Sequence, residues 1–147
     1  MTTAEDRSSV RRRLAAVPDR LSGAVRAAAG RPVPAGEWTP SEVVRHLIAV
    51  EDVVWHSRLR QLATADRPTW PWLEPAPWEG RPEATVDELI AIFGSLRGET
   101  VGILDGFGDE GWARTGIHAT WGEVGVVELM NRAVDHDDEH IASFVAA

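Results

Sequence analysis

Hydrophobic residues recur every three or four positions in four segments of the chain, which predicts four amphipathic helices. The first covers about residues 4–29 and contains Pro18, which removes a backbone hydrogen bond, so we expect one kinked helix or two short ones there. The other three span about 20 residues each. Their apolar positions are Val43, Leu47, Val50, Val54 and Leu59; then Val86, Leu89, Ile90, Phe93, Leu96, Val101 and Leu104; then Val126, Leu129, Met130, Ala133, Ile141 and Phe144.

These last three segments begin with the same start signal. In this signal a threonine at the helix cap and a glutamate three residues later satisfy each other's free backbone amides. The pairs are Thr39 with Glu42, Thr85 with Glu88, and Thr120 with Glu123. We therefore predict helices that start directly after these threonines, the third of the four helices ending at Gly106 and Gly108.

The segment between the second and third helices has a different composition. Residues 67–82 hold five prolines and the tryptophans Trp70, Trp72 and Trp78. This proline density excludes a regular helix, yet three large aromatic side chains are too apolar for a disordered linker. We predict an ordered loop packed over one end of the helices, with the lid or rim of a substrate pocket as the alternative.

The helices and the loop together predict an all-α fold, an antiparallel four-helix bundle with a Pro/Trp-rich loop between helices 2 and 3. No segment alternates between apolar and polar residues long enough to indicate a sheet. With 147 residues, the chain has the length of one domain, and we assign residues 1–147 to it.

Composition excludes several kinds of chemistry. The chain has no Cys and no Tyr, and all fifteen of its basic residues are Arg. These absences exclude disulfides, a thiolate nucleophile, a Cys-ligated metal, a Lys Schiff base and a P-loop. Histidine, carboxylate, arginine and hydroxyl side chains remain for catalysis.

The charge balance and the hydropathy also restrict the partners. A net charge of −8 argues against a nucleic-acid ligand, which needs a basic surface. No apolar run is long enough to cross a membrane, and the first residues carry acids where a signal peptide is basic and apolar. We expect a soluble, cytoplasmic protein that binds neither nucleic acid nor membrane.

Three histidines lie on apolar helix faces. His136 and His140 share the arc of the fourth helix that carries its hydrophobic residues, and one helical turn separates them, so both rings can reach one ion. His46 occupies the apolar face of the second helix. Each alone is consistent with a core histidine, but together they describe a three-nitrogen metal site. Three protein ligands leave positions open for water or substrate, as in catalytic sites.

Two further histidines and one aspartate lie near these positions in the sequence. His56 lies about 80° from the face of His46, so we expect it at the surface or helix edge. His118 precedes the last helix, where loop packing is favoured over a place at the pocket mouth. Asp137 lies on the inward arc, and it is a candidate catalytic residue that orients a ligand imidazole or acts as a base.

Sequence motifs in three segments resemble the DinB-like superfamily, which includes the bacillithiol and mycothiol S-transferases. The resemblance is carried by residues 38–47 (WTPSEVVRHL), by residues 116–123 (GIHATWGE) and by residues 135–141 (DHDDEHI). It implies a four-helix bundle, a metal triad of His46, His136 and His140 holding one divalent ion, usually zinc or nickel, and a homodimer. The chain departs from many relatives at Ser143, where they carry Gln, and at Ala119, where they carry Pro.

Three functions are consistent with these features. The first is a metal-dependent transferase that joins a low-molecular-weight thiol to an electrophilic small molecule. Mycothiol is the expected thiol, since an Ala- and Arg-rich, Lys-free chain is typical of a high-GC bacterium. The second is a small-molecule hydrolase, but not a protease, because Asp137 is one methylene shorter than the glutamate of the HExxH pattern. The third is a non-catalytic bundle that binds a metal or ligand or forms dimers.

Overall fold

The computed structural model describes residues 2–144, in which four long helices form a bundle. The helices are α1 (Ala4–Ala28), α2 (Pro40–Val50), α3 (Ser57–Thr64), α4 (Val86–Asp105), the short α5 (Gly108–Trp112) and α6 (Val126–Ser143). A π-helical turn (Glu51–His56) joins α2 and α3 into one continuous helix. Helix α1 packs against α4 and α6, and α2 packs against α4. The predicted four-helix bundle is confirmed.

Two of the predicted start signals form as expected. The Thr39 side chain accepts a hydrogen bond from the Glu42 amide, and the Glu42 carboxylate accepts one from the Thr39 amide. Thr85 and Glu88 make the same reciprocal pair at the start of α4. Local sequence therefore sets where α2 and α4 begin.

The predicted start at Thr120 is wrong, because residues 119–121 form the turn of a hairpin. Helix α6 begins at Val126, with Gly125 as its cap. The Glu123 carboxylate accepts hydrogen bonds from Arg67 and Thr115 instead of capping a helix. Gly122 has a φ of +75°, which favours glycine and reverses the chain here.

Replacing Thr85 with alanine tests this difference between two similar sequence signals. We expect the free energy of unfolding to fall by about 1 kcal/mol, because the Glu88 amide loses its acceptor. Urea denaturation followed by circular dichroism measures the change. Thr120→Ala is the matched control and should have little effect, since the Thr120 side chain is exposed. Equal losses for both variants would contradict this assignment of the caps.

A small sheet beside the bundle departs from the prediction that no segment forms a strand. Strand β1 (Thr69–Trp70) pairs in parallel with β2 (Thr115–His118), which pairs antiparallel with β3 (Gly122–Gly125). The strands have two to four residues, which is too short for a recognisable alternation. The sheet fixes the Pro/Trp-rich loop to the segment that precedes α6.

Helix α1 continues through Pro18 without a break. A proline has no amide hydrogen to donate to the carbonyl four residues earlier, which here belongs to Leu14. The Arg97 guanidinium of α4 donates to that carbonyl at 3.0 Å. A partner from another helix thus replaces the missing bond, which the sequence of α1 alone did not indicate.

The prediction for His56 is also wrong, because its side chain is buried and only 1% exposed. Its Nε2 donates to the Leu96 carbonyl at 2.9 Å and to the Thr100 hydroxyl at 2.7 Å. The π-helical turn changes the angular step between residues, so the α-helical wheel gives the wrong direction for His56 at the end of the turn. His56 faces α4 and lies outside the triad.

The core consists of two hydrophobic clusters. One contains Leu14, Val50 and Leu104, and the other contains Val17, Leu47 and Phe93. Polar side chains of three helices lie at the boundary between them, namely Glu51, Arg97 and Asp137, and all are at most 1% exposed. Within residues 2–144, no helix has the length and apolarity needed to cross a bilayer.

Candidate metal centre

The structure brings His46 of α2 together with His136 and His140 of α6. One nitrogen from each ring lies within 4.8 Å of the others. The Nε2 atoms of His46 and His136 are 3.2 Å apart. The ring centroids are separated by 5.2 Å for His46 and His136, and by 4.7 Å for each of the pairs that include His140. The three rings thus form one contiguous group of nitrogen donors.

The protonation state of the triad suits metal binding. Burial, followed by the neighbouring imidazoles, lowers the pKa of His46 and of His136 to about 4. Burial also lowers the pKa of His140 below its ordinary value. The rings are therefore neutral near pH 7, and neutral imidazole is the form that binds a metal.

The spacing of the triad also fits a single ion. Two nitrogens bound to one ion at about 2.1 Å stand about 3.0–3.4 Å apart for cis-octahedral to tetrahedral angles. The 3.2 Å between the Nε2 atoms of His46 and His136 lies in this range. The Nδ1 atoms of the same two rings are buried and have no hydrogen-bond partner among residues 2–144. The three imidazoles could thus hold a divalent ion such as zinc, nickel, copper or iron.

A buried ionic cluster lies beside the triad. The Arg97 guanidinium donates to both carboxylate oxygens of Glu51, at 2.8 and 2.7 Å, and to Asp137 at 2.6 Å. The Thr100 hydroxyl donates to Glu51 at 2.5 Å. When both carboxylates are ionised, one cation faces two anions, so the cluster carries a net negative charge directly behind His136. This charge favours a cation at the triad.

The two carboxylates of this cluster differ in their pKa. Burial alone would raise the pKa of Glu51, but Arg97 and Thr100 outweigh it and hold that pKa below its ordinary value. For Asp137, burial dominates over Arg97 and raises the pKa to about 7. Within the described residues, Asp137 makes its hydrogen bond to Arg97 and none to an imidazole. The structure thus places it behind the triad, while its catalytic role stays a prediction.

A cavity of about 530 Å³ opens onto all three histidines. Trp72 stands at its rim with 59% of its surface exposed, and His118 and Trp121 stack on each other with ring centroids 3.8 Å apart. The lining residues are His46, Val50, Val54, Trp55, Arg58, Trp72, Leu73, Glu74, His118, Trp121, Arg132, Asp135, His136, Glu139 and His140. The triad is therefore open to a small molecule on this side.

The three tryptophans of the Pro/Trp-rich loop have different positions. Trp72 lines the cavity, so the pocket-rim alternative applies to this residue. Trp70 is buried, and its indole donates to Gln61 at 2.6 Å. Trp78 packs at the edge of the second core cluster, against the Arg45 guanidinium. The loop therefore both closes the core and contributes to the pocket.

On its other side the triad is covered by Trp38. The Trp38 ring lies 4.9 Å from that of His46 and 6.3 Å from that of His140, measured between centroids. A second cavity of about 640 Å³ lies beyond this indole. It touches the triad only at His140, so the smaller cavity, which reaches all three rings, is the candidate binding site.

The three histidines of the group follow from the sequence, whereas the buried charges around them do not. His118 lines the cavity, which was only the alternative to loop packing, while Arg58 and Arg97 were not identified at all. Arg97 lies four residues after Phe93 on the buried face of α4, and a charged residue at such a position is a usable signal. Arg58 offers the same signal, because it lies four residues before the buried Leu62 on α3.

Comparison with known proteins agrees with this fold. The sequence profile of the DinB superfamily matches residues 3–143. Among solved structures, the fold is similar to that of YfiT from Bacillus subtilis, reported as a probable metal-dependent hydrolase with an unusual four-helix bundle topology, at a TM-score of 0.75 and 22% identity. The similarity covers 99% of this chain and 87% of YfiT. No match was found among curated proteins. The profile spans nearly the whole chain, and the chain therefore belongs to the DinB superfamily.

Proposed function

We propose that the protein is a metal-dependent transferase that joins a low-molecular-weight thiol to an electrophilic small molecule. The observation that carries the proposal is the group of three neutral imidazoles from α2 and α6 at the wall of an open cavity. Zinc and nickel are the ions we expect, since imidazole suits both. Mycothiol is the expected thiol.

The chain contributes ligands and walls rather than a nucleophile. It has no cysteine, so a thiol must come from a cosubstrate. A divalent ion held by three imidazoles lowers the pKa of a thiol or water that binds to it, which supplies a nucleophile at neutral pH. His46, His136 and His140 leave room for that ligand on the cavity side, while Trp38 covers the opposite side. Trp72 and Trp121 provide flat apolar walls for the second substrate.

Two measurements on the purified protein test the transferase. Elemental analysis should find about one equivalent of zinc or nickel. With 1-chloro-2,4-dinitrobenzene as electrophile, turnover should require added thiol. The new bond joins the thiol sulfur to the ring carbon, chloride leaves and the thiol proton passes to water. Thiol-independent loss of the electrophile would contradict the transferase, and full activity of His46→Ala would exclude the triad from the reaction.

A small-molecule hydrolase is the second candidate, favoured by the fold shared with YfiT. It uses the same three histidines and a water in place of the thiol. The hydrolysis of 4-nitrophenyl acetate without thiol tests it, and this activity should disappear in His46→Ala and on treatment with a chelator. If no metal is retained and a chelator leaves the melting temperature unchanged, the non-catalytic bundle is favoured over both enzymes.

The homodimer also stays a prediction. Light scattering after size-exclusion chromatography tests it, since the 16.1 kDa chain should then elute with twice that mass.

A further inference from the structure

One end of the cavity is built from side chains whose hydrogen-bond donors are only partly used within residues 2–144. We call it the donor end, and it consists of Trp55, Arg58, His118 and Arg132. Arg58 is 5% exposed, and its guanidinium lies 5.6 Å from the rings of Trp55 and Trp70. It donates one hydrogen bond, to the Pro71 carbonyl at 3.1 Å. Among residues 2–144, no carboxylate lies within ion-pair distance of it. A buried cation without a counter-ion is costly unless a ligand supplies one.

His118 presents a second free donor. Its Nδ1 accepts hydrogen bonds from the amides of Thr120 and Trp121, at 3.0 and 3.2 Å. Since an accepting nitrogen carries no proton, the neutral ring holds its hydrogen on Nε2. This Nε2 is buried and has no partner within the described residues. Burial and the charges of Arg58 and Arg132 lower the pKa of His118, so the ring is neutral near pH 7.

Trp55 adds a third. Its side chain is 4% exposed, and the indole Nε1 is buried without a partner in the described part of the chain. An indole N–H can only donate. A buried polar atom without a partner is rare in native proteins, and two of them in one cavity wall beside a buried cation indicate an acceptor that binds there.

The other charged side chains that line the cavity lie near the triad or have an ion-pair partner. Glu74 and Glu139 act on the pKa of His140, at the triad. Asp135 forms a 3.5 Å ion pair with Arg13. Arg132 is partly neutralised by Glu128 at 3.6 Å and lies over the Trp121 ring. The donor end thus has one uncompensated charge, on Arg58, which matches a singly charged anion.

We propose that the donor end binds a carboxylate of a small molecule, with Arg58, the His118 Nε2–H and the Trp55 Nε1–H as donors. Binding needs no metal. The bound molecule then extends toward the triad as a substrate, and this part of the proposal rests on the proposed function. A flat apolar body next to the carboxylate suits the rings of Trp72 and Trp121, so the substrate class is an aromatic or unsaturated carboxylic acid.

Calorimetric titration of the chelator-treated protein with benzoate and with benzamide tests the proposal. The two probes share shape and differ in charge. Benzoate should bind at one site, and benzamide should bind at least about tenfold more weakly, since a hydrogen bond to a charged group is stronger than one to a neutral group. Equal affinities for the two probes, or no benzoate binding to the folded protein, would overturn it.

Variants locate the site. Arg58→Gln should weaken benzoate binding at least about tenfold, and Trp55→Phe, which keeps the ring and removes the N–H, about threefold or more. Arg12→Gln is the charge-matched control, since Arg12 is exposed, and it should leave the affinity unchanged. Circular dichroism checks that each variant is folded. If Arg58→Gln is not, the test uses the affinity of Trp55→Phe instead. Unchanged benzoate affinity in a folded Arg58→Gln protein overturns the proposal. If Arg58→Gln does not fold, unchanged affinity in Trp55→Phe overturns it.

His46→Ala separates this proposal from the proposed function. It should keep benzoate binding, because the carboxylate does not contact the triad. Loss of benzoate in His46→Ala with retention in Arg58→Gln would place the carboxylate at the histidines and overturn the donor end. A wild-type protein that binds benzoate at this site but retains no metal would contradict the proposed function alone.

Discussion

Replacing His136 with alanine is expected to remove tight metal binding and, with it, turnover. His136 supplies the Nε2 that lies 3.2 Å from that of His46, so its loss leaves two ligands from different helices. Loss of a residue that merely supports a ligand typically costs ten- to hundredfold in metal affinity, so loss of the ligand itself should cost at least about a hundredfold. Competition for Zn²⁺ with a chromophoric chelator measures the affinity.

His56→Gln is the matched control for this substitution. It likewise removes a histidine, but His56 lies on the long α2–α3 helix, bonds to Leu96 and Thr100, and is outside the triad. It should bind one equivalent of Zn²⁺ as the wild type does, with folding checked by circular dichroism. Equal losses of zinc affinity in both variants, or full affinity in His136→Ala, would show that the triad is not the metal site.

The features that the sequence predicted correctly depend on nearby residues. The starts of α2 and α4 follow from Thr39 and Thr85, whose partners are three residues away. The pair of His136 and His140 follows from the periodicity of one uninterrupted helix, α6. His46 was placed correctly because it precedes the π-helical turn, whereas His56 at the end of the turn was misplaced.

The features that it missed depend on partners far along the chain. Thr120 has the residues of a helix cap, but pairing of β2 with β1 and β3 draws this segment into a hairpin. Pro18 is accommodated by Arg97, 79 residues later, through the Leu14 carbonyl. The donor end combines Arg58 of α3 with His118 of β2. No periodicity within one segment carries this information.

Arg97→Met is expected to cause a large loss of stability. It leaves Glu51 and Asp137 buried without their cation, and the Leu14 carbonyl without its donor. Removing one partner of a buried ion pair costs about 3–5 kcal/mol, a large part of the stability of a typical domain. Urea denaturation measures this loss. Arg20→Met is the control, because its half-exposed ion pair with Asp138 should contribute at most about 1 kcal/mol.

Combining Arg97→Met with Asp137→Asn distinguishes a structural role of Asp137 from a catalytic one. In the wild-type background Asp137→Asn removes an anion that Arg97 binds at 2.6 Å but that burial penalises, so the two contributions to stability oppose each other. In the Arg97→Met background only the cost of burying or protonating this carboxyl remains, and asparagine removes that cost, so the same change should restore part of the lost stability. The difference between the two backgrounds measures the ion pair that holds α6, and with it His136, against α4. If Asp137→Asn instead abolishes turnover at unchanged stability and metal content, Asp137 acts in the reaction itself.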